Sequence, residues 1–514
     1  MYCLEVELKR RTKINSKIMN YLTNHPKFLQ FIGLLVVFLS LCLFIEPSEN
    51  NIFWRLPALF KDIPFIINDS VQYLMYEWMP IEVYDPEIED FEQKPLFREL
   101  TRSISSAILF IIMVVRDIFL GGVNTIVSFT SWDFVNENKW AHWPGLPWTV
   151  IAGGAVILGY KLQGKGLALL AAFSTIYISV FGQWKPALET LSLVLVAAPV
   201  SVILGLVLGV WGFRNKTVEA ALQPLLNVAQ TMPHYSYLVP VLVLFGVGDH
   251  AGAIATIIFA TPPMVRLTLL GLKNVSPEVV EAGMMNGCTN FQLLFKVLIP
   301  TARHDILIGV NQVIMQCLAM TVIASFIGAQ GLGSHLMVAL NALRVGVGIE
   351  IGVCIVLIAV LLDKLSLAWA NKQTDYFADL TFIERYRYSL LFLVIILVGS
   401  FLAYIGTFFF KEGFNYLYIV PHNKGITTAP FWQEGVDWIW DTFFYILNGF
   451  NVFLIVQILV PMKNAYLGMP VAATFLLMMG IGYILSGIRT SMIVGGFLLF
   501  IAFSEYWDRA LITA

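Results

Sequence analysis

Charged residues are scarce in this chain of 514 residues. Lysine, arginine, aspartate and glutamate together make up 13% of it, whereas 58% of the residues are hydrophobic. Soluble domains carry about a quarter charged residues, so this deficit excludes an ordinary soluble protein. The formal net charge of -2 gives no sign of a nucleic-acid partner. The chain is better counted in membrane spans of about 20 residues each.

Motifs for enzyme chemistry are also missing. No Gly-x4-Gly-Lys-Ser/Thr pattern occurs, so we expect no nucleotide-binding loop in this chain. The five cysteines stand singly, without CxxC or metal-ligand spacing, and the seven histidines are dispersed. The sequence therefore predicts no catalytic residue, no metal and no cofactor held by this chain.

Long apolar stretches separated by short polar segments are what the sequence does contain. They lie at 28–45, 104–129, 149–163, 166–182, 188–212, 225–247, 251–272, 306–328, 346–369, 388–410, 443–461, 470–487 and 490–504. Their length and number predict an all-α, polytopic membrane protein embedded in a lipid bilayer.

Basic residues in the short loops indicate how the chain is oriented. Arg214 and Lys216 mark one loop as cytoplasmic, and the polar loop 273–304 is cytoplasmic by the same rule. Stretch 104–129 then lies between two external points, and Arg116 in its middle would be costly at mid-bilayer. We therefore interpret that stretch as an interfacial or re-entrant helix.

Two parts of the chain resemble each other at an offset of 323 positions. The matching pairs include Pro147 with Pro470, Gly164 with Gly487, and Trp184 with Trp507. Chance matches between apolar segments are the alternative explanation. An internal repeat predicts a second unit that begins near residue 430, and we expect the chain to end, at Ala514, before the core of that unit.

The loop 276–303, called the coupling loop below, carries residues at informative spacings. Ser276 can cap a short helix, and Pro277 suits its first turn. Gly287 allows a tight turn after that helix. The apolar face predicted for the helix, which could enter a groove of a partner, consists of Val279, Val280, Ala282 and Met285.

The coupling loop resembles the cytoplasmic signature loop of ATP-binding-cassette (ABC) importer permeases, E-A-A-x3-G-x9-I-x-L-P. Gly283 departs from the second alanine of that pattern, and Val297 and Ile299 stand for its isoleucine and leucine. Segments in a shared order across roughly 145–370 look like the glycine betaine/proline branch, which takes up compatible solutes and quaternary amines. The resemblance implies a type I, MetI-like helical bundle in the bacterial cytoplasmic (inner) membrane.

The resemblance also implies a division of labour among subunits. Cytoplasmic ABC ATPase subunits would bind ATP and Mg, and an external solute-binding protein would deliver glycine betaine, proline, choline or a related amine. A second permease unit would come from another copy or from the repeat. This chain would be a transport subunit and not an enzyme. The residues that would couple it to the ATPase are Glu278, Glu281, Ala282, Gly283, Gly287, Leu298 and Pro300.

The implied organisation divides the chain into five segments. They are 1–103, with the tail, first span and an external acidic and aromatic segment; 104–146, with the interfacial helix and an external loop; 147–370, the permease core; 371–430, a linker with an extra span at 388–410; and 431–514, the start of a second repeat.

Polar residues and prolines within the spans are candidates for the translocation pathway. The candidates for lining it are Thr231, His234, Tyr235, Asn311, Gln312 and Gln316. The candidates for hinges are Pro233, Pro240, Pro262 and Pro263. Packing and interhelical hydrogen bonds are the alternative role of the polar residues, and static kinks are that of the prolines.

An ion-gradient-driven secondary transporter of similar solutes is the competing hypothesis. Such a transporter should show intramembrane carboxylates for the coupling ion. Asp249 and Asp363 lie at span edges, which disfavours it.

Overall fold

The computed structural model describes residues 26–45, 53–54, 62–85, 90–121, 146–371, 387–388, 390–399, 401, 426–504 and 506–513. This part of the chain is almost entirely helical, and it confirms the predicted all-α, polytopic architecture. Six of the described helices are long and apolar enough to cross a membrane, or seven if the bent pair Ile488–Phe503 and Trp507–Thr513 is one span.

The elements follow one another along the chain as α1 (Pro26–Phe44), α2 (Ile63–Tyr76), β1 (Pro80–Asp85), β2 (Asp90–Pro95), α3 (Leu96–Arg116), α4 (Trp148–Gln163), α5 (Lys165–Val180), α6 (Trp184–Arg214), α7 (Lys216–Thr231), α8 (Tyr235–Phe245), α9 (Asp249–Lys273), α10 (Pro277–Met285), α11 (Arg303–Ile323), α12 (Leu332–Asn341), α13 (Val345–Ala370), α14 (Ala429–Phe453), α15 (Val460–Leu467), α16 (Val471–Ser486), α17 (Ile488–Phe503) and α18 (Trp507–Thr513). A short apolar helix also spans Leu390–Gly399. Strands β1 and β2 form an antiparallel hairpin, the exception to the all-α prediction among the described residues.

Two compact units make up the molecule, Met79–Ile439 and Met1–Trp78 with Trp440–Ala514. In the first, α6, α9 and α11 pack together with α13 beside them, and Met264, Val313 and Cys317 are fully buried at their contacts. These helices are apolar around much of their circumference, as expected for a bundle core. In the second, α1 packs on α16. This division does not test the five segments predicted from the sequence; the tail 1–25 and most of 371–430 lie outside the described residues.

The apolar stretch predicted as one span at 225–247 is broken in the structure. Helix α7 ends at Thr231 and α8 begins at Tyr235, with Pro233 between them. Met232 is extended, with φ -63° and ψ 134°, because a following proline disfavours the helical conformation of the residue before it. The single-span prediction was therefore wrong.

The described part of the stretch interpreted as interfacial or re-entrant includes the π-helical turn Asp117–Gly121 and, before that turn, helix α3. Its Ser105 hydroxyl donates to the carbonyl of Phe245 at 3.4 Å, and Arg116 pairs with Asp249 at 3.0 Å. Both partners lie at the end of the core opposite to the coupling loop. These contacts favour a helix at that surface, but α3 is also long enough to cross a membrane, so the interpretation stays a prediction.

The internal repeat is visible in the geometry of two helix hairpins. Helices α4 and α5 have the same lengths as α16 and α17, and each boundary is shifted by the predicted offset. The linking glycines, Gly164 and Gly487, have φ values of 83° and 84°. Trp184 and Trp507 begin the helices that follow. The two hairpins therefore share helix lengths and a linking glycine, and a second unit that begins near residue 430 stays a prediction.

Candidate functional site

The first helix of the coupling loop begins as its sequence predicts, but it is capped differently. Ser276 is extended at the N-cap position and Pro277 occupies the first turn. The Ser276 side chain makes no capping bond to the helix backbone, so that prediction was wrong. Instead, hydrogen bonds from the backbone N–H of Glu278 and from the Ser276 hydroxyl lower the pKa of the Glu278 carboxyl.

The tight turn predicted at Gly287 ends this helix. Gly287 has φ 74°, and its N–H donates to the carbonyl of Met284 at 2.9 Å. The next N–H, of Cys288, donates to the carbonyl of Gly283 at 3.2 Å. These two bonds form a Schellman motif, in which a left-handed residue satisfies the last carbonyls of a helix.

A second helical arm returns the coupling loop to the core. It comprises Asn290–Gln292, a π-helical stretch Leu293–Leu298 and Ile299–Thr301. A capping box between Thr289 and Gln292 opens it. Leu293, Leu294 and Leu298 are buried in the cluster that continues into α6, α9 and α11, so this arm is packed directly onto the membrane bundle.

The departure from the family pattern at Gly283 marks where the two arms cross. A Cβ atom at this position would lie 2.7 Å from Cδ1 of Leu293, which is closer than van der Waals contact. The family's alanine would require the Leu293 side chain to shift away from α10. The glycine is therefore explained by the close packing of α10 on the second arm.

The outward face of the coupling loop differs from the predicted apolar face. Val280 packs against the core and does not point outward. Met285 is 91% exposed, and Met284, Phe291 and Phe295 are exposed beside it. Large apolar side chains left in solvent are typical of a protein-binding surface. Ala282 and the predicted coupling residues Glu278, Glu281 and Pro300 are exposed as well.

Three of the predicted pathway residues meet at the break between α7 and α8. Thr231, His234 and Tyr235 are all exposed. The His234 ring lies 4.4 Å from that of Phe259, and the Tyr235 ring lies 5.4 Å from that of Phe326, measured between centroids.

The three polar residues predicted on α11 divide into two groups. Gln312 is exposed, and Gln316 is half-buried with no described partner for its side-chain oxygen. Asn311 instead donates to Asp363 at 3.2 Å and accepts from the Ser366 hydroxyl, both on α13. Asn311 therefore joins two helices, and its role as a pathway residue stays a prediction.

The four prolines predicted as hinges occupy unlike positions. Pro233 separates α7 from α8, whereas Pro240 lies inside α8. Pro262 and Pro263 lie buried inside the continuous helix α9. Only Pro233 coincides with a break in a helix, and a hinge role for the four stays a prediction.

Comparison with known proteins decides the family. Residues 201–410 match the family described as "Binding-protein-dependent transport system inner membrane component". The trimethylamine N-oxide transport system permease protein TmoV of Pelagibacter ubique (strain HTCC1062) is 54% identical, over 96% of this chain and 73% of the relative. The chain belongs to the family of binding-protein-dependent transport system inner membrane components. It is a multi-pass permease subunit of an ABC importer.

Two further relatives share this permease's sequence over shorter ranges. TmoV of Ruegeria pomeroyi (strain ATCC 700808 / DSM 15171 / DSS-3) is 37% identical, over 76% of this chain and 59% of the relative. The glycine betaine transport system permease protein OpuAB of Bacillus subtilis (strain 168) is 41% identical, over 41% of this chain and 74% of the relative. Family membership decides against the ion-gradient-driven alternative. It also makes this chain a transport subunit that works with a separate ATPase and a solute-binding protein.

Sequence reasoning missed most of a polar stripe along α7 of the permease. The stripe comprises Gln223, Asn227, Gln230 and Thr231, all exposed. Their spacing of about one helical turn places them on one face, and this periodicity was the signal that could have found them.

Two contacts fix the stripe against α9. Glu219 pairs with Lys273 near the coupling loop, and Arg266 donates to Asn227 further along. Exposed amides are costly wherever they would face lipid, so this face of the permease is a candidate for the pathway.

Proposed function

We propose that this permease carries small methylated amines, such as trimethylamine N-oxide or glycine betaine, into the cell. The observation that carries the proposal is the 54% identity to a trimethylamine N-oxide permease along 96% of the chain. The shorter match to a glycine betaine permease supports the same chemical class. An external solute-binding protein presents the solute, and the permease opens a path for it.

The ATPase drives this movement through the coupling loop. ATP and Mg bind to the partner ATPase, whose closure displaces α10 by contact with the exposed face around Met285. The buried leucines of the second arm, Leu293, Leu294 and Leu298, transmit that displacement to the bundle. Packed interfaces suit this task because they move as rigid bodies between discrete arrangements.

A second permease unit completes the pathway in this proposal. The helices of the hairpin α16–α17 have the same lengths as those of α4–α5 and begin and end at equivalent positions. This similarity supports a fused unit in the C-terminal part. A second copy of the chain is the other source. The exposed polar stripe on α7 favours a partner that covers it and encloses an aqueous path.

Reconstituted transport tests the proposal. The permease, its ATPase and its binding protein are placed in proteoliposomes, and uptake of labelled trimethylamine N-oxide, glycine betaine and proline is measured. We expect uptake of the methylated amines that requires ATP, stops with vanadate and survives collapse of the ion gradients. Uptake without ATP, or uptake of none of the methylated amines, would contradict it.

A further inference from the structure

Two aromatic rings form a corner beside the break between α7 and α8. Tyr235 begins α8, and Phe326 belongs to the 3-10 turn Ala324–Ile327 that follows α11. Their centroids are 5.4 Å apart and their planes meet at 75°. The two residues are 54% and 56% exposed, so each ring is only partly covered by the rest of the chain. We call this pair the aromatic corner.

The exposure of Phe326 is specific to that residue within its turn. Ala324, Ser325 and Ile327 are all buried, and Phe326 alone projects outward. More than half of the surface of Phe326 is left uncovered by the chain. Near Tyr235, the side chain of Tyr237 is buried and its hydroxyl donates to the carbonyl of Ala229, which ties the start of α8 to α7.

The neighbours of the aromatic corner indicate that it faces a pathway and not lipid. His234, which directly precedes Tyr235, and Thr231, the last residue of α7 and of the polar stripe, are both exposed. Polar side chains at membrane depth face protein or water-filled cavities. Transporters also commonly bind their solutes where a membrane helix is interrupted. The corner combines both features.

We propose that the aromatic corner is a transit site for the trimethylammonium group of the solute. A cation attracts the face of an aromatic ring within about 6 Å of the centroid. Two rings near a right angle let one methylated ammonium group contact both faces. The inference rests on the proposed function, because it assumes a methylated amine as cargo. It adds that the permease itself, through Tyr235 and Phe326, recognises the charged end.

Fluorinated phenylalanines at position 326 test this proposal. Each added fluorine weakens the negative ring face and changes the ring's shape little, so folding is preserved. In the complete transporter we expect trimethylamine N-oxide uptake to fall stepwise, by on the order of fivefold to tenfold from phenylalanine to trifluorophenylalanine. ATPase activity stimulated by the binding protein reports whether each variant is assembled.

Phe173 provides the matched control. It is 57% exposed on α5 and its ring lies 6.1 Å from that of Tyr177. The same series at this position should leave uptake unchanged. If uptake does not change with fluorination at position 326, or falls equally with fluorination at position 173, the inference is overturned and the proposed function stands. If the unmodified transporter takes up no trimethylated amine, the proposed function fails and the inference fails with it.

Discussion

Gly287 holds a left-handed backbone conformation that other residues adopt at a cost. Its φ is 74°, and no atom lies within 4 Å of a Cβ built there, so a substitution acts through the backbone alone. We expect Gly287→Ala to strain the end of α10 by about 1 kcal/mol and to weaken ATPase binding about fivefold. Gly287→Asn should weaken it less, because asparagine tolerates this conformation. Binding of the purified ATPase to the permease in nanodiscs measures both.

Gly352→Ala is the matched control for this pair of variants. Gly352 also has open space around it, but it lies inside α13 without a positive φ, where alanine favours the helix. Its ATPase affinity should equal that of the unmodified permease. Equal affinities for Gly287→Ala and Gly352→Ala would show that the turn does not position α10 for docking.

Glu350 anchors the segment that leads into α14. Its side chain is 3% exposed, and one carboxylate oxygen accepts from the Thr428 N–H at 2.7 Å and from the hydroxyls of Thr427 and Thr428 at 3.1 Å. Glu350→Leu should lower the free energy of unfolding by roughly 1–3 kcal/mol, because it removes the acceptor of the part-buried Thr428 N–H and of two hydroxyls. Glu350→Gln keeps an acceptor oxygen and should lower it less. Thermal unfolding in detergent measures the relative stability of the two variants. A Glu350→Leu variant as stable as Glu350→Gln would contradict the role of Glu350 as an anchor for the segment before α14.

At the scale of elements, the two arms of the coupling loop have different roles. The second arm contributes to the stability of the fold, and α10 is proposed to bind the ATPase. Leu298 is buried in the core cluster, whereas Met285 is 91% exposed on α10. Leu298→Ala should lower the free energy of unfolding by about 2–5 kcal/mol through the cavity it leaves. Met285→Ala should leave the melting temperature unchanged and weaken ATPase binding about tenfold, as expected for an exposed interface anchor. If Leu298→Ala weakened only ATPase binding and Met285→Ala lowered only the stability, the two arms would not have these separate roles.

The sequence predicted those helix ends that are determined by residues within one turn of them. Pro277 and Gly287 set the start and end of α10 because their backbone preferences act within one turn. The pattern did not reveal which face of that helix stays exposed, since Val280 is covered by residues distant in sequence.

Contacts between distant residues could not be predicted in the same way. Tyr235 meets Phe326 only after α9 and α11 have packed, so the sequence named one ring of the aromatic corner and missed the other. The hydrogen bond between Asn311 and Asp363 was not foreseen for the same reason, because Asp363 lies on another helix. A polar residue in a membrane span predicts a hydrogen bond to another residue, but its position in the sequence does not identify that residue.

At the scale of the whole molecule, the repeat predicts that two distant glycines are equivalent. Gly164 and Gly487 share φ values of 83° and 84° with ψ of -154° and -170°, a region that is essentially restricted to glycine. Alanine at either position should cost about 1–3 kcal/mol, and nothing within 4 Å of either Cβ adds a steric clash. Each change should therefore loosen its own hairpin by a similar amount.

Hydrogen exchange measured by mass spectrometry resolves the two hairpins. Gly164→Ala should speed exchange in α4 and α5, and Gly487→Ala should do so in α16 and α17, because the hairpins belong to separate compact units. The double variant should show the sum of the two effects, as expected for independent sites. Gly166→Ala, with equal space but a helical backbone, should leave exchange unchanged in both. If only one of the two hairpins responds to its own substitution, the linking glycines are not equivalent. The two hairpins would then share their helix lengths but not the role of the glycine in the turn.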